Sequence, residues 1–130
     1  MNGHGAISLA LKYPGKYQSA SAFSPICAPA SCPWGKKAFS AYLGADESVW
    51  KQHDSCELIR EGAPQIPLLA DQGGADPFLE EQMRPKLLLA ACEEVGFPLN
   101  YRGQMGYDHS YFFTASFIDD HLRFHAKYSA

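Results

Sequence analysis

The chain has 130 residues, and 14 acidic side chains against 11 basic ones give a formal net charge of −3. Hydrophobic residues make up 46% and charged residues 19%, which is typical of a folded domain and excludes a disordered chain. The length allows one domain. Without a basic excess we expect no nucleic acid as partner, and no apolar run reaches the roughly 18–20 residues of a membrane span.

The N-terminal residues contain neither the basic nor the apolar segment of a secretory signal, so the sequence predicts a cytoplasmic protein. Its four cysteines, Cys27, Cys32, Cys56 and Cys92, are then expected to be reduced and buried. No second Cys or His pair stands at zinc-site spacing, and we predict no metal.

The first half of the chain is predicted to hold one strand between helices. The predicted elements are a helix over Ala6–Tyr13, a buried strand over Tyr17–Ser24, a loop over 25–35, a short helix over Gly35–Tyr42, and one or two helical turns up to Ile59.

The second half alternates strands and helices more clearly. The predicted elements are a buried strand over Ile66–Ala70, an amphipathic helix over Phe78–Val95, a strand over Pro98–Arg102, a loop over 103–109, and a helix over Tyr111–Lys127 with Phe112, Ala115, Ile118 and Leu122 along one apolar face. Because strands alternate with helices, the sequence predicts an α/β fold with parallel strands and flanking helices.

In parallel sheets the chemistry lies beyond the carboxyl ends of the strands. Asp76 follows one predicted strand and His109 the next, 33 residues later, so we expect the two side chains at adjacent strand ends. An Asp before a His, both after late strands, is the order of these partners in α/β-hydrolases, whose nucleophilic Ser comes earlier in the chain. The alternatives are that Asp76, before Pro77, is a helix cap and that His109 is an exposed loop residue.

Several long blocks of sequence resemble the S-formylglutathione hydrolase (esterase D) family over nearly the whole chain. The blocks are Gly3-His4-Gly5-Ala6, Cys32 to Phe39 with Tyr42-Leu43-Gly44, Asp71-Gln72-Gly73 with Asp76 and Phe78-Leu79, Gly106 to Tyr111, and Phe117-Ile118 through His121 to Tyr128.

The resemblance implies a cofactor-free serine hydrolase of the α/β-hydrolase fold that cleaves S-formylglutathione, a small thioester, into formate and glutathione during formaldehyde detoxification. It implies that Asp76 and His109 are the acid and base of the catalytic triad. Trp34 and Lys36 are candidate substrate-binding residues, with core packing for Trp34 and a solvated surface for Lys36 as the alternatives.

One motif departs from the family pattern. The family's nucleophile motif is Gly-His-Ser-Met-Gly-Gly-His-Gly, and Met1 aligns with the residue after the Ser, so that the Ser would precede Met1. The backbone N–H of Met1 would then be the oxyanion donor. We therefore expect residues 1–130 to form the C-terminal part of an α/β-hydrolase domain that is inactive alone.

Other residues offer alternatives to this interpretation. Ser24, Ser110, Cys27 and Cys32 are candidate replacement nucleophiles, for which structural roles are the expectation. His121 and His125, four residues apart, are an alternative metal pair. A second hypothesis is a non-catalytic chain that pairs through an exposed strand edge, with the missing half or with a second copy as a homodimer.

Overall fold

Three parallel strands form the sheet on which the helices pack. The computed structural model describes residues 2–129. In that range the strands are β1 (Ala20–Phe23), β2 (Leu68–Gly73) and β3 (Leu99–Gln104), and they lie side by side in the order β1-β2-β3. Both pairings are parallel. The predicted parallel α/β arrangement is confirmed.

Six α-helices surround this sheet in the described part of the chain. They are α1 (Asn2–Lys12), α2 (Pro33–Leu43), α3 (Glu47–Trp50), α4 (Ser55–Arg60), α5 (Pro85–Val95) and α6 (Tyr111–Tyr128). Short 3₁₀ turns at Pro29–Ser31 and Lys51–His53 precede α2 and α4. None of the helices within residues 2–129 is long and apolar enough to cross a membrane.

The core lies between one face of the sheet and helices α1, α4 and α5. Its largest buried side chains are Ile7, Leu11, Ile59, Leu68, Leu88 and Phe97. Cys27, Cys56 and Cys92 pack in the same core, and all four cysteines are free and buried, as predicted. These thiols therefore act as small apolar side chains.

The predicted helix over Phe78–Val95 is wrong in its first half. A single π-helical turn occupies Leu79–Met83, Arg84 adopts a left-handed conformation (φ 47°), and α5 begins only at Pro85. Proline disfavours the helical conformation in the residue before it and has no N–H to donate. The apolar spacing therefore continues through a segment whose backbone cannot be one helix.

The apolar face predicted for the last helix does not pack against the sheet. Phe112 is 72% exposed and Leu122 is 61% exposed, whereas Phe113 and His121 are the buried side chains of α6. Phe113 meets the ring of Phe23 edge to face at 5.7 Å, and His121 stacks on it at 3.8 Å. Contact with β1 thus sets the orientation of α6.

His4 joins helix α1 to helix α4 through two hydrogen bonds. Its Nε2 donates to the carbonyl oxygen of His53 (2.8 Å), and its Nδ1 accepts from Ser55 Oγ (3.1 Å). The side chain is buried, and this burial lowers the pKa of His4 below its ordinary value of 6.5 despite the hydrogen bond to His53. The folded protein therefore favours the neutral imidazole.

Stability should fall in mildly acidic solution because of this histidine. Below about pH 6.5 the unfolded chain takes up a proton at position 4 that the folded chain resists, so the free energy of unfolding decreases as the pH falls, by at most about 1.4 kcal/mol per pH unit for one such group. Urea unfolding between about pH 7.5 and pH 5 measures this slope. His4→Gln should reduce this slope; an equal slope in the two proteins would contradict the assignment.

Candidate active site

Asp76 and His109 meet at one edge of the sheet. Asp76 follows the end of β2 and His109 follows the end of β3, and Nδ1 of His109 lies 2.7 Å from Oδ2 of Asp76. The Asp76 side chain is completely buried, while the His109 side chain is 38% exposed. The sequence prediction placed these side chains at adjacent strand ends, and the structure brings them into direct contact.

Three hydrogen bonds hold the Asp76 carboxylate. Oδ1 accepts the backbone N–H of Phe78 (2.8 Å), and Oδ2 accepts the side-chain amide of Gln72 (2.9 Å) as well as the imidazole of His109. The bond to Phe78 closes a turn, but Asp76 is not the helix cap of the alternative interpretation, because the next helical turn begins at Leu79 with Phe78 in the N-cap position. One carboxylate thus both closes the turn after Pro77 and orients the imidazole.

The contact with Asp76 fixes the tautomer of His109. A carboxylate only accepts, so Nδ1 carries the proton and donates it, and Nε2 keeps a lone pair. The ring of Phe78 stands perpendicular to the imidazole with centroids 5.8 Å apart. His109 is therefore held by two neighbours with Nε2 able to accept a proton, which is the state of a general base.

Gly73 allows the two loops to come together. A Cβ built on this residue would lie 2.3 Å from the carbonyl oxygen of Tyr107 and 2.7 Å from that of Asp108. The backbone N–H of Ala75 donates to the same Tyr107 carbonyl at 2.9 Å. Only a residue without a side chain lets the segment before His109 pass so close to β2.

A cavity of about 650 Å³ opens beside His109. Asn2 and Gly3, at the start of α1, form one wall, and Ser24 and Ser110 lie on others. The positive end of the α1 dipole therefore faces the cavity that His109 also lines, which favours negative charge developing there. Met1, the predicted oxyanion donor, lies outside the described residues.

Comparison with protein families gives a direct assignment. The family model described as "Esterase: Putative esterase" matches residues 1–124. The chain belongs to this esterase family. Among the curated relatives, an S-formylglutathione hydrolase from Rattus norvegicus is 56% identical over 130 residues, covering 98% of this chain and 46% of the rat protein.

Solved structures of other esterases share the fold. An S-formylglutathione hydrolase from Agrobacterium tumefaciens superposes with a TM-score of 0.94 at 46% identity, covering 98% of this chain and 46% of that one. An S-formylglutathione hydrolase from Staphylococcus aureus superposes with a TM-score of 0.72 at 21% identity, over 95% of this chain and 50% of that one. The predicted α/β-hydrolase fold is confirmed, and the esterase chain spans about half the length of these relatives.

The two predicted substrate-binding residues lie in different surroundings. Trp34, at the start of α2, is 39% exposed and its ring centroid is 4.6 Å from that of Phe78, the residue that contacts His109. Lys36 is exposed two residues further along α2. Trp34 is therefore linked to the site through one aromatic ring, and roles in substrate binding stay predictions for both residues.

The candidate replacement nucleophiles occupy two kinds of position. Ser24 and Ser110 line the cavity beside His109, and Ser24 has a left-handed backbone (φ 46°) at the end of β1. Cys27 and Cys32 are 2% and 0% exposed. Burial raises the pKa of the Cys27 thiol to about 12, so this sulfur stays protonated and unreactive at neutral pH.

Sequence reasoning missed a buried ionic network behind the site. Asp71, on β2, is fully buried and accepts two bonds from Arg102, each 2.6 Å, and one from His121 Nε2 at 2.8 Å. Burial alone would raise the pKa of Asp71, but the hydrogen bonds from Arg102 and His121 outweigh it and lower this pKa to about 2. Arg102 also bonds Asp120 at 3.0 Å, so the network ties β2 and β3 to α6.

The alternative metal pair has other partners. His121 bonds Asp71, and His125 lies between Ser19 Oγ (2.7 Å, at Nδ1) and Ser21 Oγ (2.8 Å, at Nε2). Within residues 2–129 no three His, Cys, Asp or Glu side chains are grouped so as to hold a metal ion. The two histidines instead attach α6 to the sheet.

Replacing Gly73 should damage the structure at the site more than replacing its neighbour. Gly73→Ala forces a Cβ against the Tyr107 and Asp108 carbonyls, and overpacking of this kind costs about 1–3 kcal/mol of unfolding free energy. Gly74→Ala is the matched control, because its nearest contact would be an ordinary 3.5 Å to Met105 Cα. Chemical unfolding measures both, and equal losses would show that the close approach is not a constraint.

Proposed function

We propose that this chain carries the acid and base of a serine thioesterase site that acts on S-formylglutathione. The observation that carries the proposal is the 2.7 Å hydrogen bond from His109 Nδ1 to the buried carboxylate of Asp76, beside a cavity of about 650 Å³. The likeness to relatives named S-formylglutathione hydrolase supports the thioester substrate.

The reaction needs a Ser hydroxyl, and this hydroxyl comes from the part of the longer relatives that this chain does not span. His109 Nε2 takes the proton of that hydroxyl as its oxygen attacks the thioester carbonyl. The imidazolium, stabilised by Asp76, then gives the proton to the departing thiolate sulfur, which leaves glutathione and a formyl-serine. Water attacks the formyl group in the same way, releasing formate and restoring the Ser and neutral His109.

The same proposal gives roles to two residues of α2. Trp34 forms an aromatic wall near the formyl group, because its ring packs on Phe78 beside His109. Lys36 is exposed and can meet a carboxylate of glutathione as a point charge. Free cysteines and a glutathione thioester both suit a reducing compartment, so we place this reaction in the cytoplasm, as a step in formaldehyde removal.

A chimera tests the site directly. The part of the rat relative that precedes the matched region is joined to Met1 of this chain, and hydrolysis of S-formylglutathione and p-nitrophenyl acetate is followed. The chimera should turn over both substrates, and Asp76→Asn should lower kcat by about 10⁴-fold because the imidazole loses its orienting partner.

Asp108→Asn is the matched control for that substitution. Asp108 is exposed beside His109, and its Oδ1 accepts only the backbone N–H of Ser110 within the described residues, so activity should change little. The isolated 130-residue chain should show no turnover above buffer. Activity of the chimera that survives His109→Asn, or turnover by the isolated chain that depends on His109, would contradict the proposal.

A second candidate function, pairing with another polypeptide, has its own support. β1 is an edge strand in the part of the chain that the structure describes. Beside it, α6 exposes Phe112, Ile118 and Leu122 by 72%, 40% and 61%. An edge strand near exposed apolar side chains favours association. For the isolated chain we propose that the partner is a second copy, so that the chain forms a homodimer.

Analytical ultracentrifugation over a range of concentrations tests this association. The isolated chain should form a dimer, and Leu122→Glu should shift it toward monomer because a charge on the contact face costs desolvation energy. Leu89→Glu, at a 38% exposed leucine on α5, is the control and should leave the dimer intact. A chain that is monomeric at every concentration would rule this candidate out.

A further inference from the structure

Gln72 is a buried polar residue at the end of β2 that the proposed reaction does not use. Its side chain is almost fully buried, as is that of the preceding residue, Asp71. Successive side chains of a strand point to opposite faces of the sheet. Asp71 faces α6 and bonds His121, whereas Gln72 faces the loop that carries Asp76.

The hydrogen bonds of Gln72 fix the orientation of its amide. Nε2 donates to Asp76 Oδ2 at 2.9 Å and to the carbonyl oxygen of Gly73 at 3.2 Å. Both partners can only accept, so the NH₂ group and not the oxygen must face them. The Oδ2 that accepts from Gln72 is also the oxygen that accepts from His109.

The oxygen of the same amide, Oε1, differs from the NH₂ group in its hydrogen bonding. Oε1 of Gln72 is buried without a hydrogen-bond partner among residues 2–129. A buried acceptor left unpaired is unfavourable, and an apolar side chain of similar size would fill the same space without it. Packing alone therefore does not account for a glutamine here, whereas donation to Asp76 does.

We propose that Gln72 is a positioning residue, which holds Asp76 Oδ2 in line with His109 Nδ1 and so keeps the imidazole proton on Nδ1. Its effect on hydrolysis rests on the function proposed above, but the placement of that proton can be measured without turnover. Gln72 touches neither the imidazole nor the cavity and acts only through Asp76.

Proton NMR of the 130-residue chain tests the proposal. An imidazole N–H in a short bond to a carboxylate gives a far-downfield resonance, which Asp76→Asn should abolish if it belongs to His109. Gln72→Met, which has similar length and no donor, should broaden this resonance and speed its exchange with solvent at least tenfold. Should Gln72→Met fail to fold, Gln72→Asn keeps the amide but is too short to reach Asp76, and should give the same loss.

Gln82→Met is the matched control. Gln82 is also buried, and its Oε1 accepts the backbone N–H of Trp34 rather than contacting Asp76, so its replacement should leave the resonance unchanged. An unaltered resonance in Gln72→Met or Gln72→Asn, in a chain where Asp76→Asn removes it, would overturn the role of Gln72 and leave the site intact. Absence of any resonance that depends on Asp76 would overturn both the site and this inference.

In the chimera the same variants separate positioning from a general structural effect. Gln72→Met should lower kcat about 10- to 100-fold with little change in KM, as expected when an orienting partner of a site residue is lost. Gln82→Met should change kcat much less, because Gln82 bonds the backbone of Trp34 and not Asp76. Equal effects of the two variants on kcat would show that Gln72 contributes only to folding.

Discussion

The arrangement of the sheet and α6 depends on the hydrogen bonds that the buried carboxylate of Asp71 accepts. This carboxylate is completely buried, and Arg102 from β3 and His121 from α6 both donate to it. Removing one partner of such a buried pair costs about 3–5 kcal/mol, because the other charge is left without compensation. With its pKa lowered to about 2, Asp71 stabilises the fold at all but strongly acidic pH, and the contribution is lost as the pH falls from 3.8 toward 2.

This network also determines where the imidazole of the site can lie. His109 is two residues before α6, whose orientation is set by the bonds of Asp120 and His121 and by the packing of Phe113 on Phe23. Asp76 is held by the turn after β2, and that turn is bonded to the His109 loop by the Ala75 N–H to Tyr107 carbonyl bond. The short contact between the two side chains therefore rests on backbone bonds as well as on the Asp71 network, which is the preorganisation that an acid–base site needs.

The sequence predicted the alternation of strands and helices, and it placed Asp76 and His109 at adjacent strand ends. Both depend on local signals, namely apolar runs and the Gly and Pro residues that bound them. Asp71 could not be recognised from such signals, because the predicted strand ends at Ala70 and the burial of Asp71 depends on contacts with Arg102 and His121, 31 and 50 residues away.

Two expectations about helices were wrong for different reasons: the helix over Phe78–Val95 is broken at Arg84, whereas α6 has the predicted extent but packs through another face. Apolar spacing continues across the break at Arg84 because Met83 and Leu88 are both buried, although Arg84 between them adopts a left-handed conformation that separates two helical segments. On α6 the predicted apolar face, with Phe112 and Leu122, is exposed. The face that packs on the sheet contains His121, which donates a hydrogen bond to Asp71. The break at Arg84 thus follows from the backbone before Pro85, whereas on α6 a tertiary contact of a buried polar side chain overrode periodicity.

The adjacent pair of Asp71 and Gln72 also specifies how β2 aligns with its neighbours. A slip of one residue along the strand would exchange the two side chains between the faces of the sheet. Asp71 would then approach Asp76, placing two carboxylates together, and Arg102 would face a neutral amide. Charge as well as apolar packing thereby favours the native alignment, with Asp71 opposite Arg102, over the alignment shifted by one residue.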